Sequence, residues 1–241
     1  MTGSGLQGEV PVLYADDHLV IVDKPAGVVV HPTYQNRQGT LLDILRQQLP
    51  EPPSIVGRLD RWTSGLVVVA RNGVVHAALQ RAMAAADCRK EYLAIVHGPV
   101  LESGAVDFTL RVSPDDRRRV VISAESGAPS LTRLEPLATT RVGRTILSLL
   151  RCTAVTGRRH QIRVHLAASG WPIVGDAIYG DPSRDEMLDA GCCPTRQALH
   201  AWRLHMTHPF SGAAVHITSP VPADLQPLVR QVTSDAFACA S

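Results

Sequence analysis

Residues Ala105–Val155 read AVDFTLRVSPDDRRRVVISAESGAPSLTRLEPLATTRVGRTILSLLRCTAV. This stretch decides the fold class. Apolar and polar residues alternate around Val106–Leu110, Val120–Ile122, Leu131–Leu137 and Ile146–Cys152, the period of strands with one face on a core. The breaks between them, such as Ser113-Pro114-Asp115-Asp116 and Ser126-Gly127, are turn formers too short to hold crossover helices. The pattern therefore predicts a meander of antiparallel strands.

Upstream, Val10–Tyr14 and Leu19–Asp23 read as strands around the turn Ala15-Asp16-Asp17-His18. Thr40–Leu49 carries Leu41, Leu42, Leu45 and Leu49 at helical spacing and is stopped by Pro50, with Pro50–Pro53 a rigid link. Leu66–Ala70 reads as a buried strand, Val74–Ala86 as a helix with Val75, Leu79 and Met83 inward, and Tyr92–Val96 as another strand. Downstream, Arg158–Ala168 returns to helical spacing, with Thr156 as N-cap and Gly170 as stop. Strands near Leu199–Met206 and Ala214–Thr218 precede a short helix around Leu225–Val232. The sum is an α+β fold: one domain over residues 10–232 with a large mixed, mainly antiparallel β-sheet flanked by helices and loops, between tails at 1–9 and 233–241.

A chain of 241 residues, 45% hydrophobic and 19% charged, can bury a sizeable core and is too apolar for disorder. Met1–Val10 lacks the pattern of a leader, and apolar runs such as Leu66–Ala70 are too short to span a bilayer, so secretion and membrane insertion are not expected. The cysteines, Cys88, Cys152, Cys192, Cys193 and Cys239, are odd in number and contain no C-x-x-C, which fits a reducing cytoplasm. Charge is uneven along the chain. From Gly57 to Arg163 there are 17 basic and 9 acidic residues, against 7 and 13 elsewhere, and Lys24 and Lys90 are the only lysines. An arginine-rich electropositive block is compatible with a polyanion partner and equally with a bias of composition.

Two segments could carry chemistry. Gly57-Arg58-Leu59-Asp60-Arg61-Trp62-Thr63-Ser64-Gly65 sets one carboxylate between two arginines in a loop before a buried strand. Taken alone it reads as a surface ion pair. The second segment, Thr156–Leu166, places Arg159, His160 and Arg163 on one face of the expected helix near its N-terminus, a surface that would hold a phosphate or a catalytic carboxylate. The alternative is a solvated basic face. A metal centre is not expected: His200, His205 and His208 fall near one strand end, but no acidic residue or cysteine completes a ligand set by spacing, and Cys192-Cys193 are adjacent. The acidic segment Asp185-Glu186-Asp189 reads as a surface excursion.

Five segments, VDKPAGVVVHP (Val22–Pro32), RLDRWTSGL (Arg58–Leu66), KEYLAIVHG (Lys90–Gly98), TGRRHQIRVHLAASGWPIVGDAIYG (Thr156–Gly180) and LHAWRLHMTHPFSG (Leu199–Gly212), in that order resemble the motifs of the RluA-type pseudouridine synthases. The resemblance implies isomerisation of uridine to pseudouridine in rRNA or tRNA, without metal or organic cofactor, by a cytoplasmic enzyme that is a monomer. It makes Asp60 the catalytic aspartate, Arg58 the arginine that helps displace the target nucleotide, Tyr92 the tyrosine stacking on the base, and Arg163 the basic partner of the aspartate. Lys24 would support the active-site loop, Leu204 would belong to the apolar wall of the pocket, and Arg61, Thr63 and His160 would also lie on the substrate side.

Gly57 stands where the family usually has histidine, which leaves the class of RNA open. Trp62 occupies a position the family varies, either stacking on an extruded base or packing against its own loop. With only some ten residues before the first strand, no S4-type RNA-binding module is expected, and Arg117, Arg118 and Arg119 are the candidate phosphate contacts, or a solvated face. A non-catalytic RNA-binding protein is the rival reading; a glycosidase using Asp60 lacks a second carboxylate, because Glu91 and Asp107 have no supporting context.

Overall fold

The computed structural model describes residues 8–34, 36–189 and 192–234. Most of the two expected tails, and Cys239, lie outside the described residues. The described residues hold eleven strands and five helices and divide into two compact units, the first from residues up to Arg89 plus Ala201–Pro220, the second from Lys90–His200 plus the residues from Val221 on.

The first unit contains β1 (Val12–Ala15), β2 (Leu19–Lys24), α1 (Leu41–Gln48), β3 (Ser54–Val56), β4 (Ser64–Ala70), α2 (Gly73–Ala84), most of β10 (Leu199–Thr207) and β11 (Ala214–Thr218). The strands lie in the order β1-β2-β4-β10, with β3 on β4 and β11 on β10. β2 and β4 pair antiparallel from Leu19 opposite Ala70 to Lys24 opposite Gly65. Leu19–Val22 and Val67–Ala70 are buried on both strand faces, which is why neither run alternates in the sequence. Helix α2, capped by the Asn72 side chain, packs Val75 and Leu79 against Leu19, Ile21, Val68 and Ala70, with Met83 at the edge of the cluster. Helix α1 begins in a reciprocal cap, the Asp43 N–H bonding to the Thr40 hydroxyl and the Thr40 N–H to the Asp43 carboxylate, and it stops before Pro50. The three-residue β3, directly after the proline link, is too short to leave a period in the sequence.

The second unit contains β5 (Arg89–His97) from Lys90 on, β6 (Gly104–Val112), β7 (Val120–Ile122), β8 (Ala128–Val142), β9 (Thr145–Ala154), α3 (Gln161–Ala168), α4 (Pro182–Asp185) and α5 (Gln226–Ser234). Its strands run β5-β9-β8-β6-β7, each registered pair antiparallel as expected, but the order corrects the simple meander: the short β7 folds back on β6, and β8 pairs the other edge of β6 instead of β7, a choice of neighbour that strand period does not encode. The register of β8 against β9 shifts between Pro136 and Ala138, where proline has no N–H to donate to the ladder, and Leu137 is left half exposed. Helix α3 packs on β6, β7 and β8, and α5 on β8 and β9.

Helix α3 corrects one expectation. It starts at Gln161, and Thr156 does not cap it. The Thr156 hydroxyl accepts from the Leu131 N–H and donates to Gln161 Oε1, which also accepts from the Arg158 N–H. This staple folds residues 156–160 into a turn, and His160 takes φ 54, the left-handed region a right-handed helix cannot include. Gly170, at φ 82, ends the helix as expected.

Candidate active site

In the first unit, Asp60 heads a tight turn in which the Thr63 N–H bonds to the Asp60 carbonyl at 3.1 Å, immediately before β4. Leu59 and Thr63 are buried and anchor it, Asp60 is half-buried, and Arg58 and Arg61 are exposed on either side. The turn is strapped to the loop after β2. The Gly27 N–H donates to the Arg61 carbonyl at 2.8 Å, and Arg61 Nε donates back to the Gly27 carbonyl at 2.9 Å. Beneath it the fully buried Lys24 ammonium donates to the carbonyls of Val28 (2.9 Å), Pro25 (3.0 Å) and Arg61 (3.2 Å). A buried ammonium with several oxygen acceptors is held rigidly, because releasing it would orphan all of them. Lys24 thus ties the two loops that frame Asp60. Partial desolvation, then the charge of Arg58, holds the His31 imidazole below its ordinary range. Leu204 packs in the core with Met206 and Leu19.

In the second unit, Tyr92 lies on β5, half-buried, opposite Cys152 of β9. Arg163 is 4% exposed and forks onto Asp176, Nε to Oδ2 at 2.7 Å and Nη2 to Oδ1 at 2.8 Å. Asp176 Oδ1 also accepts from the N–H groups of Ile178 and Tyr179. Burial alone would push the Asp176 carboxyl up, but the Arg163 hydrogen bonds and charge and the two backbone donors outweigh it and hold the group below its usual range. The result is a guanidinium of fixed orientation inside the protein.

Arg159 does not share a helix face with Arg163, as the sequence spacing suggested. It precedes the helix, and its guanidinium donates to the carbonyls of Arg117 (2.9 Å) and Arg118 (3.1 Å). His160 instead meets Tyr179, Nδ1 to the phenol oxygen at 2.8 Å, while the same oxygen accepts from the Val120 N–H. Arg117, Arg118 and Arg119 are exposed on the turn between β6 and β7. Arg118 is engaged by Asp116 through two 3.0 Å contacts, which with the Arg118 N–H hold the Asp116 carboxyl at about 2, and Arg119 lies 5.3 Å from the Tyr179 ring centroid.

The sequence assigns Asp176 no role of its own, and Tyr179 reads there only as the head of the surface turn Tyr179-Gly180-Asp181-Pro182. An aspartate in the otherwise apolar run Ile173–Tyr179 was the available signal, since a buried carboxylate needs a cationic or multiply donating partner. The acidic excursion is also anchored: Asp185 meets buried His97 at 2.7 Å.

Tertiary structure also supplies the acid that spacing could not find for the histidines. Asp16, His18 and His208 bring ligand-type atoms within 4.8 Å of one another. Their donor chemistry does not suit a cation. His208 Nδ1 accepts from the N–H groups of Phe210 and Ser211, so its neutral ring carries the proton on Nε2, the atom facing Asp16 at 3.1 Å. Both Asp16 oxygens are already taken, one by the His18 and Leu19 N–H groups and the other by the Tyr14 hydroxyl.

The chain matches the family model for RNA pseudouridylate synthase over residues 18–168. It is 40% identical over 227 residues to ribosomal large subunit pseudouridine synthase D of Nitrosomonas europaea, covering 92% of this chain and 64% of that protein. With the protein of the same name from Xanthomonas campestris it shares 38% over 239 residues, covering 93% and 70%. The chain thus spans about two thirds of the length of these curated relatives. Among solved structures it resembles human RNA pseudouridylate synthase domain containing 1, with a TM-score of 0.72, 25% identity and 97% and 98% of the two chains covered. Human RNA pseudouridylate synthase domain containing 4 shares the fold, with a TM-score of 0.69 at 21% identity. The α+β fold is therefore the pseudouridine synthase fold, and the chain belongs to the RNA pseudouridylate synthase family.

Proposed function

We propose that this protein isomerises uridine to pseudouridine in RNA, with Asp60 as the catalytic residue. The observation that carries the reading is the Asp60 turn, a half-buried carboxylate between two exposed arginines on a loop strapped down by buried Lys24. The names of the relatives make large-subunit ribosomal RNA the preferred substrate over tRNA.

The reaction breaks the bond from C1′ to N1, turns the uracil and joins C1′ to C5, with loss of the C5 proton and protonation of N1. The base has to leave the stack, at a cost of a few kcal/mol that is least in loops. Arg58 fills the vacated position, and Tyr92 stacks on the extruded base, an aromatic contact worth about 1–3 kcal/mol. Addition of Asp60 to C6, attack on C1′, and removal of the 2′ proton to give a glycal all need the carboxylate ionised. Arg163, held by Asp176, supplies the opposing positive charge. Arg117, Arg118 and Arg119 contact phosphates, His160 and Thr63 stand on the substrate side, and Leu204 backs the apolar wall. The protein acts in the cytoplasm as a monomer, through one catalytic domain over residues 10–232.

Tritium release from C5-labelled uridine in ribosomal and transfer RNA transcripts tests the reading. The wild type releases tritium, and Asp60→Asn releases none while still binding RNA. Turnover by Asp60→Asn would refute the assignment; binding without release by the wild type would favour the non-catalytic RNA-binding alternative.

A further inference from the structure

Trp62 follows Asp60 by two residues, and its side chain is 47% exposed, unusual for a residue that is highly buried on average. The part it does bury rests on the backbone of Gly27. A Cβ on Gly27 would stand 3.3 Å from Trp62 Cζ3, and Gly27 takes φ +88, so the ring lies close against a backbone position whose conformation favours glycine. The backbone beneath is fixed by the paired hydrogen bonds between Gly27 and Arg61 and by Lys24. The Arg61 guanidinium carbon lies 5.2 Å from the Trp62 ring centroid, and Arg58 is exposed on the same loop.

A half-exposed indole on an immobilised loop, flanked by arginines, has the chemistry of a single-strand contact. Every nucleobase has a π-face to stack, and the neighbouring guanidinium can take the adjoining phosphate. Rigidity matters, because a ring already held in place loses little conformational freedom when a base settles on it.

We propose that Trp62 binds substrate by stacking on a nucleobase adjacent to the target uridine in the RNA strand, with Arg61 engaging the phosphate beside it. This rests on the isomerase reading above and extends it to the flanking nucleotide, where Trp62 contributes to the choice of site.

The test uses a uridine-containing RNA hairpin that the wild type turns over. Stacking of about 1–3 kcal/mol predicts that Trp62→Leu, which keeps apolar bulk against Gly27, raises KM about 5- to 150-fold with a smaller effect on kcat, while Trp62→Phe recovers most of the loss. The hairpin quenches tryptophan fluorescence of the wild type, and most of that quench disappears in Trp62→Phe, in which Trp171 and Trp202 remain. Thermal melting confirms that both variants are folded. A wild-type KM in Trp62→Leu, an unchanged quench in Trp62→Phe, or a fall in kcat at constant KM would overturn the proposal. Each of those results leaves product formation by the wild type intact, whereas failure of the isomerase reading removes product altogether.

Discussion

Replacing Asp176 by Asn changes one atom of a buried ion pair and should be among the most damaging polar substitutions in the chain. Both partners are almost wholly buried, with side-chain exposures of 5% for Arg163 and 0% for Asp176. The asparagine oxygen can still accept from Ile178 N–H, Tyr179 N–H and Arg163 Nη2, the bonds now made by Oδ1. Its amide, however, takes the place of Oδ2 and turns two donors toward Arg163 Nε, itself a donor. The guanidinium cannot shed its proton, so the variant takes from a buried cation the carboxylate that forks onto it and leaves a donor facing Nε, a loss of about 3–5 kcal/mol.

Against a total stability of about 5–15 kcal/mol, that is a shift in Tm of about 6–20 °C for a chain of this size. Urea unfolding followed by circular dichroism measures the loss directly, provided the m-value is unchanged. The pH dependence gives a second check. Because the folded carboxyl of Asp176 is held below its ordinary range, its contribution is present above the unfolded value near 4 and is lost as the pH falls through the lower, folded value. Asp176→Asn should lose that component of acid sensitivity. A destabilisation below about 1 kcal/mol would refute the claim that this fork is a dry, charge-compensating pair, because a loss that small is typical of exposed pairs.

Two further expectations follow from other parts of the fold. Gly65 takes φ +110, and a Cβ there would lie 2.1 Å from the Ala201 carbonyl oxygen, a backbone atom that cannot swing aside. Gly65→Ala should therefore cost more than about 3 kcal/mol or abolish soluble expression, and a Tm within 2–3 °C of wild type, as expected for about 1 kcal/mol, would contradict the close approach. His165 is fully buried, its Nε2 2.8 Å from the Ser130 hydroxyl, and burial pushes its pKa down to about 4. A depressed histidine stabilises fully above its unfolded value of about 6.5 and loses that contribution as the pH falls toward 4, about 2 kcal/mol between pH 6.5 and 4.5. Urea midpoints for the wild type and His165→Gln over that range should diverge accordingly; parallel curves would rule the effect out.

The antiparallel strands β6 to β9, the buried run Leu66–Ala70, helix α2 with Val75 and Leu79 inward, and the stop at Gly170 are all legible as local patterns, though not the order in which β6, β7 and β8 pair. Each is written in hydrophobic period or in backbone freedom, which neighbours in sequence are enough to reveal. The start of α3 was not. Arg158, Arg159 and His160 continue a helical pattern of residue types, yet Gln161 gathers Thr156, Arg158, Leu131 and Thr132 into a turn that no propensity encodes. For the same reason the partners of Arg159, Arg163 and His160 could not be read from spacing. They are carbonyls 41 and 42 residues away, a carboxylate 13 residues on and a phenol 19 residues on.

The residue chemistry around Asp60 stands on the same divide. That a carboxylate lies between two arginines, followed by a tryptophan and a buried strand, is a property of nine consecutive residues. That the loop is strapped to Gly27 and supported by a buried ammonium depends on β2 pairing with β4, which brings Lys24 opposite Gly65. Asp16 and His208, 192 positions apart, meet only after β10 joins the same sheet as β2. Hydrophobic period and chain stiffness act over a few residues, so the chain alone determines which segments become strands, helices and turns. Hydrogen bonds and charge pairing act over a few ångströms regardless of sequence distance, so only the assembled structure decides which donor each buried carboxylate meets and which arginines remain exposed.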